Sequence, residues 1–304
     1  MAWPPILVRY GEIGIKSRSV RIQFEKRLVD RIEEQLVRRE VEAQVDRQEG
    51  RIMVRAADTE KAVDALTHTF GVVSVSPAEP CDPTPEGVAT ATLEVARRRL
   101  REGEGFALRV KRVGDHAFTS LDVAKHAASR ILLELADRKP HVDLDAPDVE
   151  VFAEVRHHEA FVFSRVERGP GGLPLGSQGR VGVLVDSPRA VHAAWLMGKR
   201  GSSLTFFSAE PDRAAAWLAP LAAWVPRLNL RAIEGATRGE QYAALAPELP
   251  QHKCQALVVA DGIDEAILGR EQDALVGVPV FRPLVGFAGA RYQKLCVLAE
   301  LPEV

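Results

Sequence analysis

The stretch Val181-Gly182-Val183-Leu184-Val185-Asp186-Ser187-Pro188, followed by a helical run that stops at Lys199-Arg200-Gly201, decides the fold of the carboxyl-terminal part of this chain. Just before it lies the glycine-rich run Gly169-Pro170-Gly171-Gly172-Leu173-Pro174-Leu175-Gly176. An apolar run of strand length passes through a short polar turn into a helix, which is the opening of a β–α–β unit. A phosphate loop stands at such a turn when glycines let the backbone curl and aim successive N–H groups at an anion. Here Leu184 and Val185 hold the run-up to Asp186, and bulky or β-branched residues do not readily adopt φ > 0. The outline is that of a β–α–β unit without a glycine phosphate cradle at its first turn. Asp186 or Ser187 is then expected to cap the following helix, with Pro188 in its first turn.

Beyond this turn, strands are expected near residues 203–207, 228–233, 256–260 and 278–281. Helices fill the gaps at about 189–199, 213–224 and 238–245. Alternation of this kind implies a parallel sheet covered by helices on both faces.

Working back to the start, residues 6–10 read as a strand, after which Ser17 or Ser19 caps a helix. Val20, Phe24, Leu28, Ile32 and Leu36 recur every fourth residue and give that helix one apolar stripe. Strands at 42–46 and 51–55 join through a turn at Glu49-Gly50, a helix covers 59–70, and a strand follows at 72–75. The order β-α-β-β-α-β is that of a ferredoxin-like split unit. Four prolines between Pro77 and Pro85 mark a linker. A second small α/β unit follows, with helices at 86–101 and 121–136, a strand at 106–111 and a hairpin of 149–155 with 160–166 around His157-His158-Glu159. The expected fold is therefore α/β throughout. It has a ferredoxin-like domain at 1–76, a second α/β domain at 77–168, a linker at 169–179 and a parallel-sheet domain at 180–304.

With 46% hydrophobic and 27% charged residues in 304, the chain reads as ordinary globular protein. No apolar run approaches the roughly 20 residues of a spanning helix, and the start lacks the pattern of a signal peptide. A cytoplasmic location is the default. Cys81, Cys254 and Cys296 are far apart and form no metal or disulfide pattern. Adjacent His157 and His158 in a strand point to opposite faces and cannot share a metal. The net charge of −2 conceals an asymmetry. Residues 1–55 carry 12 Lys/Arg against 9 Asp/Glu, residues 97–139 carry 11 against 6, and residues 205–304 carry 9 against 12. A basic front half suggests a polyanionic partner, whereas a single charge run is by itself a solvated face.

Several stretches resemble the ThiI tRNA sulfurtransferases. They are Ile6-Leu7-Val8-Arg9-Tyr10-Gly11-Glu12-Ile13 with Lys16, Arg18, Arg21, Phe24, Glu25 and Leu28; Phe70-Gly71-Val72 with Ser74 and Ser76; and Val142-Asp143-Leu144-Asp145-Ala146-Pro147-Asp148-Val149, which is similar to part of their THUMP domain. The glycine-rich linker, Lys199-Arg200-Gly201 and Val280-Phe281-Arg282-Pro283-Leu284-Val285-Gly286 follow in the family's order. The resemblance implies a ferredoxin-like domain, a THUMP RNA-binding domain and a Rossmann-like ATP-pyrophosphatase (PP-loop) domain. It also implies tRNA as partner, ATP with magnesium, and sulfur transfer from a cysteine persulfide to uridine at tRNA position eight, giving 4-thiouridine. Some members also serve thiamine biosynthesis.

The family's Ser-Gly-Gly-x-Asp-Ser loop is reduced here to Asp186 and Ser187, a remnant of a nucleotide site. Its Thr-Gly-Asp signature appears as Ala260-Asp261-Gly262-Ile263-Asp264-Glu265. Cys254 precedes a strand, on the side away from ligands in open parallel sheets, and Cys296 lies in an apolar stretch. No catalytic residue is assigned on this reading, and no cofactor. The RNA-binding residues are expected to be Lys16, Arg18 and Arg21 at the first helix, Arg109, Lys111 and Arg112 on or beside a THUMP strand, and Thr119 and Lys125 at the next helix start. Arg109 and Lys111 share one face of the strand.

Three readings stay open at this level. The first is a catalytically degenerate tRNA-binding protein that presents tRNA to a partner, a sulfurtransferase or sulfur-carrier protein, or regulates a true sulfurtransferase. The second is an active ATP-dependent enzyme. The third is a structural dimer or complex subunit in which the third domain serves as an interface, as its tryptophans and the apolar helix 214–225 allow. Neither membrane nor DNA is an expected partner.

Overall fold

The computed structural model describes residues 3–48, 50–268 and 271–303. Glu49, of the expected Glu49-Gly50 turn, lies outside them. The first domain runs β1 (Pro5–Tyr10), α1 (Arg18–Arg38), β2 (Ala43–Gln48), β3 (Arg51–Ala56), α2 (Thr59–Thr67) and β4 (Val72–Pro77). Its strands lie in the order β4-β1-β3-β2, all antiparallel, as a ferredoxin-like unit requires. The predicted α1 stripe is the packed face, with Leu28, Ile32 and Leu36 buried against Ile6, Val8 and Val54. Ser17 does occupy the position before α1, but its side chain makes no capping hydrogen bond.

The second domain contains β5 (Glu79–Cys81), α3 (Pro85–Arg99), β6 (Gly105–Arg112), α4 (Ser120–Glu134), β7 (His141–Val142), β8 (Val149–Val155) and β9 (Ala160–Phe163), with sheet order β5-β9-β8-β6-β7. The proline-rich stretch is thus only partly a linker, because Glu79–Cys81 pairs with β9 as an edge strand. An edge is where a strand tolerates proline, since one row of its N–H groups needs no partner. His157 and His158 sit in the turn between β8 and β9, not within a strand.

The expected linker at 169–179 is more than a linker, and Glu167–Arg168, expected at the end of the second domain, joins the first. Glu167–Arg168 forms β10, which pairs antiparallel with β4 and makes a fifth strand of the first sheet. The chain then bonds onward as a strap. Gly171 N–H donates to Val72 O at 2.7 Å, Leu173 N–H to Lys199 O at 2.9 Å, and Gly176 N–H to Gly201 O at 2.8 Å. Gly172 has φ +76°, and a Cβ there would come within 2.1 Å of the Lys199 carbonyl oxygen. Only glycine satisfies both demands.

The third domain runs β11 (Arg180–Leu184), α5 (Ala190–Lys199), β12 (Ser203–Ser208), α6 (Pro211–Leu218), β13 (Leu230–Ala232), α7 (Arg238–Gln251), β14 (Leu257–Val258), α8 (Ile263–Leu268), β15 (Val280–Phe281) and α9 (Ala290–Ala299). Its sheet is wholly parallel in the order β13-β12-β11-β14-β15. The apolar run at its centre feeds two cores. Val181, Val183 and Val185 meet Trp195 and Phe206 on one face, while Leu184 meets Phe207 and Tyr242 on the other.

Two expectations for this domain are corrected. Helix α5 starts at Ala190 with Arg189 in the capping position and no side-chain cap bond, so neither Asp186 nor Ser187 caps it. Residues 214–225 are not a free apolar helix. Helix α6 gives way to a 3-10 turn at Ala219–Ala223, and Ala214, Leu218, Leu221, Trp224 and Val225 are all buried within the chain.

The first domain is keyed into both others. Phe70 belongs to the third domain's core, stacked on Trp224 at 5.4 Å and edge-on to Trp195 at 5.6 Å between ring centroids. A Cβ on Gly198 would come within 2.8 Å of the Phe70 ring, so glycine there admits the aromatic. Gln35 Nε2 donates to the carbonyls of Ala223 and Trp224 at 3.2 and 3.3 Å. Toward the second domain, Leu7 and Met53 pack on Phe161 and Phe163, and Arg51 and Glu154 form a buried ion pair.

Candidate nucleic-acid interface and nucleotide crevice

Strand β6 alternates. Leu108 and Val110 pack into the apolar clusters beneath α3 and α4, whereas Arg109 and Lys111 are exposed on the opposite, helix-free face. The predicted shared face of these two cations is the observed one. Arg112 turns the other way, donating toward Gly114 O at 3.4 Å. Arg109 is not free. Its Nε meets Glu150 at 3.0 Å, and Nη2 donates to Leu144 O at 2.8 Å. Lys111 makes no ion pair among the described residues.

Thr119 serves a local purpose. Its hydroxyl accepts from Asp122 N–H at 3.1 Å while Asp122 accepts the Thr119 N–H at 2.8 Å, a complete capping box for α4. The Asp122 carboxyl accepts from both the Thr119 N–H and the Thr119 hydroxyl, at 2.8 Å each, and these two bonds hold it below the usual aspartate value. Lys125 stands exposed one turn further on. At the other domain, Lys16 lies in the turn before α1, Arg18 opens the helix, and Arg21 reaches Glu25 at 4.0 Å.

Between the first two domains opens a cleft of about 610 Å³. Its floor carries Phe152 and Phe163, stacked at 5.3 Å with 9° between planes. Arg9, Arg109 and Lys111 stand around it. The Arg9 guanidinium lies 4.9 Å over the Phe163 ring and donates to Ser76 at 3.0 Å. A cationic rim above an apolar floor suits a nucleic-acid backbone, whose phosphates meet the cations. Sequence reasoning did not select Arg9 as a site residue. Its neighbour Phe163 is 154 positions away in number, and only the domain packing joins them.

The second candidate site lies at the carboxyl ends of the parallel strands, where open α/β sheets bind ligands. Asp186 follows β11, Asp261 follows β14, Arg282 follows β15, and Arg238 is the first residue of α7. Arg238 Nη2 donates to Asp186 Oδ2 at 2.7 Å and Nη1 to Asp261 Oδ1 at 2.9 Å. Arg282 Nε donates to Asp261 Oδ2 at 3.0 Å, and its two terminal nitrogens grip Asp273 at 2.8 and 2.7 Å. The five charges form a ladder, Asp186–Arg238–Asp261–Arg282–Asp273, across the mouth of the sheet. Burial raises Asp186, while the adjacent Arg238 pulls it back. For Arg282 the Asp273 bonds outweigh burial and hold the guanidinium more firmly protonated.

Leu184 and Val185 are fully buried, and no described residue from 180 to 200 has a positive φ. Asp261 is paired with both arginines. Of the remnant pair, Asp186 is committed to Arg238, and the Ser187 carbonyl accepts from Ala190 N–H at 3.1 Å. Neither arginine was selected from the sequence. A signal for Arg238 existed in Thr237 and Glu240, whose spacing marks a helix start there, on the side of the sheet where Asp186 lies.

The cysteines fall where the sequence placed them. Cys254 is buried before β14, and burial raises its thiol. Cys296 is buried in α9, with Sγ 3.4 Å from His192 Nε2, and His192 Nδ1 is 3.1 Å from the Tyr292 hydroxyl. This contact was not foreseen. Among the described residues no group of three or more His, Cys, Asp and Glu is arranged to hold a metal, and no helix is long and apolar enough to cross a membrane.

Residues 5–76 match the ThiI ferredoxin-like domain and residues 85–165 the THUMP domain. The chain is 32% identical over 323 residues to the "Probable tRNA sulfurtransferase" of Methanosarcina acetivorans, covering 93% of this chain and 77% of that one. The chain belongs to the ThiI tRNA sulfurtransferase family. To the tRNA sulfurtransferase of Desulfurococcus amylolyticus this ThiI-family chain is 40% identical over 209 residues, 64% of its own length and 40% of the relative's. Several other curated relatives are matched over about half of their length, as in Methanosarcina mazei at 49%. Two crystal structures share the fold across all three domains. PH1313 from Pyrococcus horikoshii Ot3 superposes with a TM-score of 0.84 at 24% identity, covering 99% of this chain and all of that one. A 4-thiouridine synthetase in complex with RNA and ATP gives 0.77 at 20% identity, covering 98% and 84%.

Proposed function

We propose that this ThiI-family chain binds tRNA through its ferredoxin-like and THUMP domains, and that it does so without ATP chemistry of its own, presenting tRNA to a sulfur-transferring partner. The RNA half of the reading is supported by the cationic rim of the cleft between those domains, together with half-buried Lys16 and exposed Arg18 and Lys111. The catalytic half rests on one observation. Arg238 bridges Asp186 and Asp261, so the charged groups at the strand ends are occupied with one another. A nucleotide entering the crevice would have to break an ion-pair ladder and would gain no backbone cradle in return.

The deciding experiment is calorimetric titration of the protein with Mg·ATP in the presence of unmodified tRNA whose binding has been established separately. No heat up to millimolar ATP is the expected result. Saturable micromolar binding, about −8 kcal/mol, together with AMP formation and 4-thiouridine in the tRNA, would replace this reading by that of an active sulfurtransferase.

A further inference from the structure

A second cleft, of about 260 Å³, opens where α1 of the first domain meets the third domain. Its third-domain wall includes Arg180 and Ser203, which begin β11 and β12. It therefore lies at the amino-terminal ends of these strands, opposite to the Asp186–Asp261 crevice. Arg27 and Arg31 of α1 stand on one side and Arg227, in the turn before β13, on the other. Leu175, Leu204 and Val225 supply low-dielectric walls, which concentrate the field of the charges above them.

The charge balance of this cleft is one-sided. Arg51, Arg238 and Arg282 each meet carboxylates. Here a single acid, Glu34, faces three guanidinium groups and engages only Arg31, at 2.6 Å. Arg31 Nε is buried without a hydrogen-bond partner. Arg27 and Arg227 are exposed and make no ion pair among the described residues. Arg180 lines the cleft too, but its guanidinium donates to Thr205 Oγ1 at 3.3 Å and is not counted. A planar guanidinium fork matches the oxygens of a phosphate, and forks arriving from two domains can hold one from both sides.

We infer that this cleft is a phosphate site spanning the joint between the first and third domains. It takes either the phosphodiester backbone of a bound RNA or a free phosphate compound. The RNA source rests on the tRNA reading above, while the free source does not. Occupied by RNA, the site extends the footprint beyond the THUMP face and ties the nucleic acid to the third domain.

The test uses the whole protein and the double variant Arg27→Ala/Arg227→Ala. Both residues are exposed, so the fold should persist, which an unchanged melting temperature verifies. Inorganic pyrophosphate is titrated by calorimetry, and tRNA affinity is measured against salt. Loss of pyrophosphate binding in the variant identifies a free-phosphate site. Silent pyrophosphate with tRNA affinity lowered roughly tenfold, and the log–log salt slope reduced by about 2, identifies the RNA backbone. The inference is overturned if neither quantity changes while Lys111→Ala still weakens tRNA binding. Should the wild-type protein bind no tRNA at all, the tRNA reading fails, and pyrophosphate alone decides the site.

Discussion

Arg238 Nη2 lies 2.7 Å from Asp186 Oδ2, a bond that joins the start of α7 to the end of β11 across 52 positions of sequence. The same guanidinium holds Asp261, whose side chain is only 3% exposed. Removing one member of a buried pair leaves the other charge uncompensated, at a cost of about 3–5 kcal/mol where burial is complete. Arg238 is a third exposed, so Arg238→Ala should destabilise by about 2 kcal/mol, read as a lower urea midpoint. Adding Asp186→Asn should restore part of the loss. An unchanged midpoint in Arg238→Ala would mean that the ladder contributes nothing.

Phe70 locks the first domain to the third. Truncating a buried aromatic costs about 3–5 kcal/mol, and here the cavity would open between two domains. Phe70→Ala should therefore split a single calorimetric transition into two, whereas Phe70→Leu, which keeps most of the volume, should not. A single transition in Phe70→Ala would show that the strap at residues 169–179 couples the domains without it.

Two capping boxes make a pH prediction. Glu240 accepts from the N–H groups of Ala236 and Thr237 at 2.7 and 3.1 Å, and its carboxyl is held below the usual glutamate value, as Asp122 is in α4. A depressed folded value contributes stability that is complete above the unfolded value and is lost as pH falls toward the folded one. Thermal stability should thus hold steady above about pH 5 and decline on further acidification. The Asp122→Asn/Glu240→Gln protein should show a shallower decline; identical acid profiles would remove these caps as the cause.

Lys111 and Arg109 share a face but not a status. Arg109 must leave Glu150 and the Leu144 carbonyl to meet a phosphate, while Lys111 has nothing to leave. Lys111→Ala should consequently weaken tRNA binding by a larger factor than Arg109→Ala, roughly five- to tenfold against twofold, by fluorescence anisotropy at fixed salt. The reverse order would place the RNA on Arg109 and free Glu150 as its gate.

Local pattern alone determined much of this protein. The fourfold spacing from Val20 to Leu36 marks the buried face of α1, and the apolar runs separated by helices imply the parallel sheet. Both follow because side-chain direction repeats with the geometry of the backbone. Arg109 and Lys111 fell on one face for the same reason. Tertiary structure decided the rest. Glu167–Arg168 reads as the end of the second domain until β4 offers it an unpaired edge, and Phe70 reads as a helix end until Gly198 makes room for its ring. Arg238 and Arg282 gain their partners only when the strand order brings Asp186 and Asp261 beside them. Periodicity reports which face of an element is buried, whereas the partner of a charge depends on which strand ends become neighbours, and sheet order is a property of the folded chain.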